Sequence, residues 1–205
     1  MALSLVAVGQ KITASIINAI INQLNLAIGT NVVLTTTSSG VSISTNGLAT
    51  FTSVTEVILD ALFASTHLNH ELTIDYQSDS TLATASYVYR TSVPADVTTA
   101  TYDGSVLAGA NGAASSVTGV GSTSHAITAF ANKLGKIELK IANAAIATET
   151  TAFAINGAHA DPAVSNAANG VGIRFFTQRD DTAFAGIKIT FSAACSGTIR
   201  AVAKI

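Results

Sequence analysis

Few residues in this chain could do chemistry, and their spacing limits what that chemistry could be. There are four histidines, His67, His70, His125 and His159, and one cysteine, Cys195. His67, His70 and Glu71 put two imidazoles and a carboxylate within five residues, a set that could hold a divalent metal if all three faced one way. The segment bridges a turn and a strand, and strand residues three apart point to opposite faces, which argues against a shared ligand set. His159 and Asp161 lie two apart in GAHADP, either as a loop pair or as a solvated turn. Asp180-Asp181 is the one adjacent carboxylate pair. Acid–base cleavage of a glycosidic bond needs two carboxylates several ångströms apart across a cleft, whereas neighbours on a turn face solvent. A single cysteine excludes an internal disulfide. Cys195 has alanine and serine neighbours and no nearby basic residue to favour thiolate, so a small buried core residue is its expected role. The sequence holds no Gly-x-Ser-x-Gly elbow, no H-E-x-x-H, and no glycine-rich phosphate loop with its lysine. GANGAAS at 109–115 lacks that lysine and follows no strand–helix frame. These observations predict a protein that is not an enzyme, with no cofactor and no metal site.

Composition narrows the partners. Charged residues make up 11 % of the chain, against about 25 % in ordinary soluble domains. Hydrophobic residues make up 48 %, and the mean hydropathy is +0.47. No run of about 20 apolar residues exists, so no membrane insertion is expected. Lys11 follows the first apolar run and no small-residue cleavage site fits, so no secretory signal is expected either. The net charge is −2, from 10 Lys and Arg against 12 Asp and Glu. Lys133, Lys136 and Lys140 come nearest to a basic cluster, and Glu138 sits among them, so nucleic-acid binding is not expected. A chain this apolar and this uncharged buries much of its surface against other chains.

The elements that position these residues begin with 9–28 (GQKITASIINAIINQLNLAI), which reads as a helix of about four turns. Thr13 or Ser15 can cap its start, and Gly29 can end it. Ile17, Ile20, Leu24 and Ile28 share one face, with Ile16 and Ile21 beside it and Asn18, Asn22 and Asn25 largely opposite. An isolated helix of this length is marginal in water. Its stripe must be covered by the chain's own domain or by copies of itself. Isoleucine in both core positions favours three or four strands over two. Ile16, Ile17, Ile20, Leu24 and Ile28 are therefore the expected oligomerisation residues, in an assembly of three or four copies.

Beyond the helix the pattern is β. No charged residue occurs from Ile12 to Thr55. Residues 31–37 and 40–45 read as short strands, with a turn at Asn46-Gly47. Further strands are expected at 54–62, 71–77, 82–91, 125–130, 136–142, 172–178, 185–192 and 197–204. Residues 100–121 are rich in Gly, Ala and Ser, and from Gly104 to Asn132 no residue carries a fixed charge. That stretch reads as a long loop, with the segment 104–121 free to touch a partner chain or a host, and 154–169 reads as a second loop. The expected fold is mainly β: a short N-terminal α-helix at 1–30 for attachment or oligomerisation, a β-rich neck at 31–53, and an antiparallel β-sandwich head of jelly-roll type at 54–205.

Three segments resemble proteins of tailed bacteriophages. Residues 51–76 (FTSVTEVILDALFASTHLNHELTIDY) look like a segment that recurs in minor structural and tail proteins. Residues 184–205 (FAGIKITFSAACSGTIRAVAKI) are similar to that family's closing hairpin, an aromatic-x-Gly-Ile-x-Ile strand, a turn, then Gly-Thr-Ile-Arg and a last strand. VAVGQKITASIINAIINQLN resembles the start common in tail-tip and fibre proteins. The chain departs from the pattern by ending in AVAKI. The resemblance implies a trimeric, non-enzymatic virion protein, made in the host cytoplasm and built into the phage particle. Its partners would be other virion proteins of tail or capsid, and its head would meet a host cell-surface receptor. A capsid decoration or head-fibre protein is the alternative within the same class. A carbohydrate-binding β-sandwich is the alternative outside it; the absence of Trp and the presence of only four Tyr count against sugar stacking.

Overall fold

Strict alternation along 134–142 makes Ile137, Leu139 and Ile141 one face of a strand and Lys136, Glu138 and Lys140 the other, and the strand forms as that pattern requires. In the computed structural model, the described residues are 41–43, 48–63, 68–92, 95–98, 102–110, 113–128, 133–147, 150–159, 170–178 and 182–204. They hold eleven strands and no helix: β1 (Val41–Ile43), β2 (Leu48–Leu59), β3 (Asn69–Ser78), β4 (Ala85–Arg90), β5 (Tyr102–Ala110), β6 (Ala113–Ser122), β7 (His125–Ala126), β8 (Leu134–Ala142), β9 (Thr150–His159), β10 (Gly170–Gln178) and β11 (Gly186–Lys204). All pairings are antiparallel, in the order β1-β2-β11-β3-β8-β9-β10-β5-β6, with β4 beside β11 and β7 beside β4. The sheet is nearly closed into a barrel-like shape. The expected helix and the oligomerisation residues Ile16, Ile17, Ile20, Leu24 and Ile28 lie outside the described residues.

The nineteen-residue β11 joins the two parts of the sheet. Its first part, Gly186 to Phe191, pairs with β4, and its second, Cys195 to Lys204, pairs with β3. β2 lies along the opposite side of both parts. The sequence predicts a hairpin here, with a turn near 192–197, and that expectation is corrected: the chain runs straight on through a bulge. The register jumps between Thr190 and Cys195, which oppose Glu56 and Val54. The bulge is pinned from three sides. Ser53 takes a φ of 52° and its N–H donates to Ser196 Oγ at 3.0 Å. Ser196 Oγ in turn donates to Asp79 Oδ1 at 3.0 Å. Ser192 and Thr84 exchange hydrogen bonds across the same place. Gly197 is required there, because a Cβ would lie 2.0 Å from the Asp75 carbonyl oxygen.

Two loop expectations are also corrected. Residues 104–121 are not a loop: β5 and β6 form a hairpin separated by Asn111-Gly112, a sequence suited to a tight turn. β5 is held on its other side by nine register pairs with β10. Residues 154–159 belong to β9, which pairs with both β8 and β10. Small Gly, Ala and Ser side chains give a weak strand signal of their own, and pairing to neighbours on both sides overrides it. Of the strand expected at 125–130, His125 and Ala126 form β7 and 127–128 do not continue it, while 129–130 lie outside the described residues.

The core sits between the inner face of β3, β8, β9 and β10 and the strands β4 and β7 laid across it. Leu72, Ile74, Ile137, Leu139, Ile141, Ile187, Ile189 and Ile199 are buried. An aromatic cluster fills the space beneath β4: Tyr87 and Tyr89 meet edge to face at 5.3 Å, and Phe184 stacks on Tyr89 at 4.5 Å. Tyr102 Oη accepts from the Tyr89 N–H and donates to the Val97 carbonyl, tying β5 to β4.

Candidate interaction surface

The described residues among those singled out for chemistry each have a place, and none of these joins a reactive group. His70 is buried on β3, its ring edge-on to Phe63 at 4.9 Å. His125 is buried among Tyr87, Tyr102 and Phe176, with ring centroids 5.1, 4.6 and 4.5 Å away. Burial in that apolar box pulls its pKa down to about 3, so the imidazole is neutral. His159 ends β9, opposite Leu134. His67, Asp161, Asp180 and Asp181 lie outside the described residues. Cys195 is fully buried, and burial with the nearby Asp79 charge pushes its thiol up to about 11, as fits a packed core cysteine. Among the described residues no three His, Cys, Asp or Glu are grouped closely enough to hold a metal ion.

One charged cluster escaped sequence reasoning. Arg90, on β4, is 7 % exposed. Its Nε donates to Asp60 Oδ1 at 2.8 Å, Nη1 donates to Asp96, and Lys188 of β11 reaches Asp96 from the other side. Burial opposes the guanidinium charge, but the hydrogen bonds and charges of Asp60 and Asp96 outweigh it and hold the Arg90 pKa above its ordinary value. Val88 and Arg90, on the face opposite Tyr87 and Tyr89, are therefore buried too. The cluster ties the end of β2 and the segment after β4 to the sheet; it is a structural clamp.

The surface that stands out is the outer face of β3, β8, β9 and β10. In one row, register sets Glu71 beside Lys140, Lys140 beside Phe153, and Phe153 beside Phe175. In the next row Thr73 meets Glu138, Glu138 meets Ile155, and Ile155 meets Ile173. On β3 and β8 the charges satisfy one another, Lys140 with Glu71 at 3.4 Å and Lys136 with Glu138 at 3.9 Å. On β9 and β10 the same rows turn apolar. The rings of Phe153 and Phe175 lie 5.1 Å apart, and Phe175 is 58 % exposed. Ile155 and Ile173 beside them are half-buried. A groove of about 520 Å³ includes Lys140, Phe153 and Phe175 in its lining. These side chains add nothing to the chain's own core, because the alternate residues Ala152, Ala154 and Phe176 already face it. Sequence reading placed GIRFFTQ on a strand, but which phenylalanine faces out is set only by the register with β9. No protein-family model matches this sequence, and no curated protein matches it.

Proposed function

We propose that this chain is a non-enzymatic structural protein of the tailed-bacteriophage particle. In this reading it is a homotrimer at the tail tip or in a fibre, with a jelly-roll-like head that meets a host-surface receptor. The N-terminal helix, through Ile16, Ile17, Ile20, Leu24 and Ile28, associates the copies and attaches them to other virion proteins. The single observation that carries this reading is the uncharged outer face of β9 and β10, where Phe153, Phe175, Ile155 and Ile173 form an apolar patch bounded by paired charges. Fully burying an exposed side chain of this size is worth about 1.5–3 kcal/mol before the cost of association, and an apolar patch of this kind suits a covering partner. The low charge of the chain supports the same reading, and the phage resemblance of the three sequence segments supplies its setting.

The test is mass by light scattering on the full chain and on a chain lacking residues 1–29. A trimer that falls to monomers on deletion supports helix-led assembly. A stable monomer in the unmodified protein overturns the reading. Antibody labelling of particles then separates tail from capsid: label at the tail tip supports the tail reading, and label over the head replaces it with capsid decoration.

A further inference from the structure

The groove of about 520 Å³ on the outer face has a regular build. Its lining is three successive residues on each of four neighbouring strands, β3, β8, β9 and β10. Register sets these residues in rows that cross the strands. Glu71, Lys140, Phe153 and Phe175 make one wall. Asn69, Ala142, Thr151 and Thr177 make the other. The row between them, from His70 to Phe176, turns its side chains into the core, so its backbone is the floor. The groove is therefore a trough laid across the sheet. Its walls stand about 7 Å apart along the strands, and three strand spacings make it about 14 Å long.

The two walls differ in chemistry. Lys140 and Glu71 meet at 3.4 Å, so their charges largely cancel and the trough draws no ion. Phe153 and Phe175, with ring centroids 5.1 Å apart, put aromatic surface on the same wall. Thr151, Thr177 and Asn69 put hydroxyls and an amide on the facing wall. An acyl chain would strip water from those groups without replacing its hydrogen bonds. An extended peptide would find no backbone partners, because all four floor strands are already paired on both sides. A sugar chain suits both walls. The C–H face of its rings covers an aromatic ring, and its hydroxyls exchange hydrogen bonds with the wall opposite.

We propose that this trough binds a short, neutral oligosaccharide laid across β3, β8, β9 and β10. This rests on the receptor reading above and names the receptor's chemical class. The stacking surface is phenylalanine, turned outward by register, so a count of Trp and Tyr does not show it. Ile155 and Ile173 lie on the far side of the phenylalanine row from the trough, so ligand and neighbouring copy use opposite sides of that row.

The test is an array of short neutral and acidic oligosaccharides of bacterial surfaces, run on the full-length protein beside a peptide array, with mass measured in the same buffer. The expected result is binding to neutral oligosaccharides, with saturation transfer in NMR from the protein's aromatic protons to the sugar's C–H protons. Phe153→Leu keeps the apolar bulk, removes the ring and weakens binding about tenfold. Thr177→Val removes one hydroxyl and weakens it about threefold. Thr151→Glu fills the trough and abolishes binding. All three leave the mass unchanged. A trimer that binds no glycan overturns the site and leaves the virion reading standing. Glycan binding unchanged by Phe153→Leu and Thr151→Glu places the sugar elsewhere and overturns the trough. Binding on the peptide array alone makes the occupant a protein and overturns it also. A monomer that binds glycan through these residues keeps the trough and overturns the homotrimer instead.

Discussion

β8 and β9 lie side by side in register over nine residues, and their outer faces could hardly differ more. β8 turns Lys136, Glu138 and Lys140 outward, while β9 turns out Phe153 and Ile155. Both strands bury their alternate residues in one core, with Leu139 opposite Ala154 and Ile141 opposite Ala152. A strand's inner face says whether the chain folds, and its outer face says what the folded chain meets. A boundary between charged and apolar surface therefore runs between two neighbouring strands, invisible from the core.

The largest effect tests the shared inner face. Leu139→Ala removes a fully buried side chain and should cost about 2–5 kcal/mol of stability in urea unfolding. If the cost is under about 1 kcal/mol, the inner faces of β8 and β9 do not form one packed core.

Acid tests the same core through His125. Its folded pKa is about 3, below the ordinary 6.5, so the folded protein holds it neutral while the unfolded chain takes up a proton. Its contribution is present above pH 6.5 and is lost as pH falls from there towards 3, at about 1.4 kcal/mol per pH unit at most. His125→Phe should flatten that part of the stability–pH curve. An unchanged slope would place the imidazole in contact with water.

The smallest effect on the single chain should come from the outer faces, and there the comparison is sharpest. Lys140→Ala loses only an exposed ion pair with Glu71, worth about 0–1 kcal/mol, and should leave assembly unchanged. Phe175→Ser should also change the unfolding of a single copy by less than about 1 kcal/mol, yet weaken association by about tenfold or more in dilution measurements. Equal effects of the two substitutions on association would erase the boundary between β8 and β9.

Much of this fold was legible in the residues. KIELKIA and ELTIDYQ alternate strictly, and β8 and β3 bury the residues that alternation selects. Other parts were hidden for physical reasons. SAACSG reads as a turn from its small residues, but Phe191 packs against Phe51 and Tyr76, Cys195 is buried, and the chain bulges without reversing. β5 and β6 carry glycine, alanine and serine, whose strand state is decided by neighbours distant in sequence. The Arg90 clamp and the His125 box are each assembled from several strands, so no local spacing announces them. The apolar patch was half visible: the phenylalanines could be read, but not which of Phe175 and Phe176 would face out.

The long β11 has a consequence for the order in which the protein can be made. β2, β3 and β4 all precede it in the sequence, and all three lean on it. Until the ribosome has delivered residues 186–204, these strands lack the partner that joins the two parts of the sheet; β1 can pair with β2, β4 with β7, and β3, β8, β9, β10, β5 and β6 with one another, but these pieces stay separate. The sheet therefore closes only once β11 has been made, through contacts distant along the chain, the kind of pairing that slows folding.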